Sequence, residues 1–368
     1  MARRGENIYK RKDNRWEGRF AKNCDSTGKI HYGYVYAKSY REVREKLAIA
    51  KQTASVATMS DSKTVSYFCD EWLVLSRNRV KASTYAKYHT IVHRHLKPNL
   101  GHYRPQELNA VILESFSNNL LREGLSVKTV RDILVIMKSI WMHCRKNHSI
   151  AFSDIDFIFP KESKKEMRVL NVQEQQRLMH YLMTDMDSTK FGVLLALLTG
   201  MRIGEICALK WTEISLAERL IHICASMQRL PSLDSADGSK TKIVIGDTKS
   251  YSSKRMIPMT EFTLELCRTM QVENRNAYVL TGDVIRFMEP RTMQYRFQKY
   301  MQDCNLQGVH FHTLRHTFAT RCVEVGFEIK SLSEVLGHSS VKVTLDRYVH
   351  ASLDLKRANM EKLQVIGL

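Results

Sequence analysis

Residues 160–168 read Pro-Lys-Glu-Ser-Lys-Lys-Glu-Met-Arg, with six of the nine positions charged. A stretch this polar, opened by a proline, has no apolar face to bury, so residues 159–168 are expected to be an exposed linker. Each side must then build its own core. At 368 residues the chain is long enough for that, since single cores stop growing at roughly 250–300 residues. A multidomain α+β architecture is expected.

The first 60 residues alternate like strands at 8–10, 16–21 and 30–37, separated by the turn-prone Lys12-Asp13-Asn14 and Asp25-Ser26-Thr27-Gly28. Ser39 stands three residues before Glu42, a capping-box spacing, and opens a helix over 40–54. The expected unit is a small three-stranded sheet with one face covered by that helix. It carries 14 basic and 6 acidic residues, a net of +8. Its open face offers Arg15, Arg19, Tyr32, Tyr34 and Tyr36 to a nucleic-acid groove; a merely solvated basic face is the alternative.

From 61 to 158 the period becomes helical, with Val65, Phe68, Trp72 and Leu75 on one stripe, then segments near 83–96, 107–123 and 126–147. Pro98, Gly101 and Gly124 read as turns between them. Lys81, Lys87, Arg94, Lys128, Arg131 and Lys138 decorate this all-α bundle. They suit phosphate contacts, or simply a solvated helix surface.

The formal charge of +19, spread over the whole chain, points to a polyanionic partner bound in a salt-sensitive way. A membrane surface would also attract such charge, but no run reaches the roughly 18–20 apolar residues of a spanning helix. The start is polar, unlike a signal peptide. A soluble, intracellular protein without membrane contact is expected. Its eight cysteines include no Cys-x-x-Cys pair, so reduced thiols and no metal site are expected.

The second half, 169–350, holds the chemistry-bearing residues. Residues 193–211 read as a buried helix, a break at Thr199-Gly200, and a second helix with Arg202 and Glu205 on one face. Such an arginine is suited to fork two phosphate oxygens while the acid holds its guanidinium, although an ordinary surface pair has the same spacing. Phe311, Leu314, Phe318 and Cys322 form an apolar stripe, leaving His312, Arg315 and His316 on another face. Leu332, Val335 and Leu336 lead to the stop signal Gly337, after which His338-Ser339-Ser340 opens a short helix that reaches Tyr348. Residues 220–226, 242–248 and 255–259 alternate as strands of a small antiparallel sheet. The last two read as a hairpin whose turn, 249–254, carries Lys249 on its rim.

Four blocks in this order, Thr-Gly-Met-Arg-Ile-Gly-Glu, Thr-Lys-Ser-Tyr-Ser-Ser-Lys-Arg, His-Thr-Leu-Arg-His-Thr-Phe-Ala-Thr and Leu-Gly-His-Ser-Ser-Val-Lys-Val-Thr-Leu-Asp-Arg-Tyr, resemble the tyrosine recombinase, or phage integrase, family. The layout ahead of them is similar to integrases of conjugative transposons and related phages. The resemblance implies an arm-type DNA-binding domain at 1–60, a SAM-like core-binding domain at 61–158, a mainly α catalytic domain at 169–350, and a tail at 351–368. Leu353, Leu355, Leu363, Val365 and Ile366 of that tail are suited to dock on a neighbour or on their own protomer.

The resemblance further implies catalytic roles for Arg202, Lys249, His312, Arg315 and His338, with Tyr348 as nucleophile and Glu205 and His316 as accessories. Phenol attack on a phosphodiester needs a cationic setting, because the unperturbed tyrosine pKa is about 10. Arg202 and Arg315 would clamp the non-bridging oxygens, and His338 would donate to the phosphate. Lys249 would protonate the leaving 5′ oxygen, and His312 would take the tyrosine proton or steady the phosphoryl group. The implied partners are duplex core and arm attachment sites and three further copies in a tetramer, with room for an excisionase and a DNA-bending host factor. No cofactor is implied, and the setting is the bacterial cytoplasm. A type IB topoisomerase-like nicking activity and a non-catalytic DNA-binding regulator are the competing readings.

Overall fold

The computed structural model describes residues 7–24, 30–61, 63–148, 155–162, 167–232, 240–247 and 254–348. The chain divides into two compact units, Met1–Lys164 and Lys165–Leu368.

In the first unit, β1 (Ile8–Lys10), β2 (Trp16–Cys24) and β3 (Ile30–Ala37) form an antiparallel sheet with β2 in the centre. The turn expected at Asp25–Gly28 lies outside the described residues. Helix α1 (Tyr40–Asp61) starts where Ser39 Oγ accepts from the Glu42 backbone N–H, as the capping-box spacing predicts. Val43 and Leu47 of α1 bury against Ile8 and Ala37. The alternation of β3 thus sends Val35 and Ala37 inward and leaves Tyr32, Tyr34 and Tyr36 exposed.

The helices that follow are α2 (Val65–Arg77), α3 (Ala82–Ile91), α4 (Lys97–Leu100), α5 (Ala110–Arg122) and α6 (Val127–Asn147), around a core that includes Phe68, Leu96, Phe116, Ile133 and Trp141. Pro98 is not the expected turn. The helix continues through it because residues 92–96 widen into a π turn, in which the Lys97 N–H reaches back to the Val92 carbonyl. That wider turn keeps the helical path where a proline ring removes a donor and crowds the preceding turn.

The second unit packs around α8 (Ser188–Thr199), which is buried almost all round and therefore shows no amphipathic stripe. α7 (Val172–Met183) begins with an Asn171–Glu174 capping box. Next come α9 (Ile203–Ala208), β4 (Ile214–Ser215), β5 (Leu220–Ile223), β6 (Ala225–Pro231), β7 (Thr241–Asp247) and β8 (Arg255–Pro258). The chain continues through α10 (Glu261–Met270), α11 (Pro290–Asp303), α12 (Phe311–Glu324), α13 (Ile329–Leu336) and α14 (Val341–Tyr348).

The hairpin expected between 242–248 and 255–259 is absent. β7 pairs with β6, while β8 pairs with β5, giving two small antiparallel sheets. The alternation is right, but the apolar positions Ile221, Ile223 and Ile257 join the main core together, and that burial chooses the partners.

Cys69, Cys144, Cys207, Cys267, Cys304 and Cys322 are buried, and Cys224 is exposed. No helix among the described residues is long and apolar enough to cross a membrane.

Candidate active site

Two glycines build the site. Gly200 ends α8 and Gly337 ends α13, both in the left-handed region at φ 67° and 64°. A helix end leaves its last carbonyls without partners inside the helix. Here three successive carbonyls at the end of α13 each accept from a different arginine: Val335 from Arg255 Nε at 2.6 Å, Leu336 from Arg315 at 2.6 Å, and Gly337 from Arg202 at 3.1 Å. The negative end of the helix favours these cations. Arg315 also donates to the Gly200 carbonyl at 2.9 Å.

Arg202 is not on the face of α9, as its spacing with Glu205 suggests, but is the residue that precedes the helix. Its backbone N–H and its guanidinium both donate to the Glu205 carboxylate at 2.8 Å. Arg255 donates to both oxygens of the same carboxylate at 2.8 and 3.0 Å. Glu205 is 3% exposed, and burial would raise its pKa, but hydrogen bonding and charge from Arg255 and the charge of Arg202 hold it at about 2. Arg255 was not singled out in the sequence. Its only signal was a place at the end of the second motif.

Helix α12 presents His312, Arg315 and His316. Arg315 is 1% exposed, and its guanidinium is held below its usual range by burial, then by Arg202 and Arg255. It remains the charged form at neutral pH, since a guanidinium loses its proton only in strong base. Burial, followed by repulsion from nearby positive charge, lowers His312 and His316 to about 4 and His338 to about 3. All three imidazoles are therefore neutral at physiological pH. His338 Nδ1 lies 2.8 Å from Thr344 Oγ1, and its ring stacks parallel to Tyr348.

Tyr348 closes α14 and is 6% exposed, in a small cluster with Ala319, Cys322, Leu332 and Leu336. Its hydroxyl is 2.9 Å from His316 Nδ1. Burial raises its pKa, opposed by the charges of Arg315 and Arg347. A cavity of about 930 Å³ opens beside it, lined by Arg202, His312, Arg315, His338 and Arg347. Tyr348 itself does not line this cavity, and its side chain must turn outward to reach a group held there.

Lys249 and the tail residues Leu353, Leu355, Leu363, Val365 and Ile366 lie outside the described residues. Among the surface cations, Arg15 pairs with Asp13 at 2.7 Å, and the Arg19 guanidinium sits 3.5 Å over the Tyr32 ring, across the sheet from Tyr34. Lys81, Arg94 and Lys128 are exposed, and Lys87 pairs with Asp132 at 2.8 Å. Arg131 is half-buried and donates to the Pro160 carbonyl at 2.9 Å, so its guanidinium already has a partner within the unit.

Residues 168–354 match the model of the phage integrase family, and residues 64–121 match the phage integrase N-terminal SAM-like domain. A tyrosine recombinase XerC-like protein of Caldanaerobacter subterraneus is 22% identical over 92% of this chain and 93% of its own. The ICEBs1 integrase of Bacillus subtilis is 22% identical over 89% and 87%. In the solved structures, the Tn1549 transposon integrase in complex with a circular intermediate DNA gives a TM-score of 0.68 at 21% identity, over 82% of this chain and 100% of that one. A lambda integrase dimer bound to a core site gives 0.60 at 17%, over 95% and 96%. The two likenesses are of fold.

Proposed function

This chain belongs to the phage integrase family, and on that premise we propose that it is a site-specific recombinase that integrates and excises a mobile element through Tyr348. The observation that carries the reading is the shared cavity: Arg202 and Arg315 face it with two neutral imidazoles, and the Tyr348 ring stacks on one of them.

In this reading the scissile phosphate enters the cavity and the two guanidiniums take its non-bridging oxygens, offsetting the charge that grows in the pentavalent transition state. The Tyr348 oxygen bonds to phosphorus as the bond to the 5′ oxygen breaks. The phenol proton passes to a neutral histidine, His312 or the already bonded His316. The 5′ oxygen takes a proton from Lys249, a role that rests on the sequence motif. A 3′-phosphotyrosine remains. A 5′ hydroxyl from the partner duplex reverses these steps on a new strand, and because the bond energy is retained no ATP is needed.

Exchange of two duplexes needs four such cuts, hence four protomers. A lambda integrase tetramer bound to a Holliday junction shows such an assembly in a similar fold. The N-terminal sheet, with its exposed tyrosines and arginines, is assigned to arm-type sites and the SAM-like bundle to core sites, in the cytoplasm of a bacterium.

The test is covalent trapping on a nicked duplex carrying the junction of the element's ends, in EDTA, on a denaturing gel. Wild type is expected to form a labelled protein–DNA adduct and Tyr348→Phe none. Strong binding without an adduct would leave only a DNA-binding role.

A further inference from the structure

Four arginines line the cavity beside Tyr348, and three are already engaged within the protein. Arg202 bonds Glu205 and the Gly337 carbonyl. Arg315 bonds the carbonyls of Gly200 and Leu336. Arg229 bonds both oxygens of Glu289, and Thr241. Arg347, exposed on the last turn of α14, has no hydrogen-bond or ion-pair partner among the described residues.

We propose that Arg347 is a substrate-contact residue that binds a DNA phosphate next to the one Tyr348 attacks. This rests on the recombinase reading and deepens it. The residue directly precedes the nucleophile and lines the cavity that Tyr348 does not, since neighbours on a helix point about 100° apart. It is thus placed to leave the phosphate held by Arg202 and Arg315 open to in-line attack by Tyr348. A flanking phosphate of the same strand is the anion within its reach. An exposed guanidinium has little desolvation to offset when it meets a phosphate, and its planar fork suits two oxygens. Its charge is also felt at the site already, disfavouring protonation of His312, His316 and His338 and favouring ionisation of Tyr348.

The experiment measures equilibrium binding of a fluorescein-labelled duplex spanning the element's end junction, across a series of KCl concentrations. It compares the Tyr348→Phe protein, which cannot become covalently attached, with Tyr348→Phe carrying Arg347→Gln or Arg347→Lys. Arg347→Gln is expected to bind a few-fold more weakly and to flatten the plot of log affinity against log salt by about 0.9, the signature of one lost phosphate contact. Arg347→Lys should keep the slope. Because Arg347 is exposed, neither change removes a buried contact. An unchanged slope in Arg347→Gln overturns the proposal. Failure of the Tyr348→Phe protein itself to prefer the junction duplex over unrelated DNA would instead overturn the recombinase reading on which the proposal stands.

Discussion

The phenol oxygen of Tyr348 and Nδ1 of His316 stand 2.9 Å apart, on helices whose residues are 32 positions apart in the chain. With His316 neutral, the phenol donates and the imidazole accepts. Removing either partner leaves a polar group buried without its hydrogen bond, at about 1–3 kcal/mol. His316→Ala and Tyr348→Phe are each expected to lower stability to urea. The double variant should lose less than the sum, giving a coupling of about 1 kcal/mol. Additive losses would remove the bond from the account.

The histidines set a pH dependence of stability. His312, His316 and His338 are depressed to between about 3 and 4, whereas an unfolded histidine titrates near 6.5. Below about pH 6.5 the unfolded chain therefore binds protons that the folded site refuses, and stability is lost as pH falls toward 4. Glu205, held at about 2, adds a further loss below its ordinary value of 4.5. Intrinsic amide exchange slows as pH falls over this range, so the loss should be read as protection factors in α12 and α13 that drop between about pH 6.5 and 4. Flat protection factors over that range would contradict the histidine shifts.

Gly204 lets α9 press against β6. A Cβ there would meet the Met227 carbonyl oxygen at 2.6 Å and Ser226 Oγ at 2.7 Å. Gly204→Ala must push α9 outward, and Arg202 with it. The expected outcome is about 1–3 kcal/mol of lost stability, with strand cleavage slowed by on the order of tenfold or more, since small misplacements of a phosphate clamp are costly. Single-turnover cleavage beside a denaturant curve checks both.

Arg255 holds a buried carboxylate that also serves Arg202. Arg255→Met should cost about 3–5 kcal/mol by leaving Glu205 under-compensated. Adding Glu205→Gln to it should recover part of that loss, because the stranded charge is gone. A double variant less stable than Arg255→Met would show that the pair acts in some other way.

The N-terminal sheet can be tested apart from the chemistry. Deleting residues 1–61 is expected to abolish binding to arm sequences while covalent trapping on the end-junction duplex persists. Tyr32→Ala with Tyr34→Ala should weaken arm binding alone. Loss of junction trapping in either protein would refute the division of labour.

Much of this was legible in the sequence because it depends on near neighbours. The Ser39 and Asn171 caps, the alternation of β3 and the stop at Gly337 all act within a few residues. So do the three motif blocks that carry Arg202, His312, Arg315, His338 and Tyr348. Pro98 misled because its effect depends on a π turn that propensity does not encode.

By itself, then, the sequence determined which residues stand in the motif blocks and which helices present them. Only the tertiary structure decided their partners. β8 joins β5 instead of β7, Arg255 reaches Glu205 across 50 residues and Val335 across 80, and Tyr348 rests against His316. Such pairings belong to long loops closed by the burial of a shared core. Their free energy is a property of the assembled unit, and no local pattern along the chain records it.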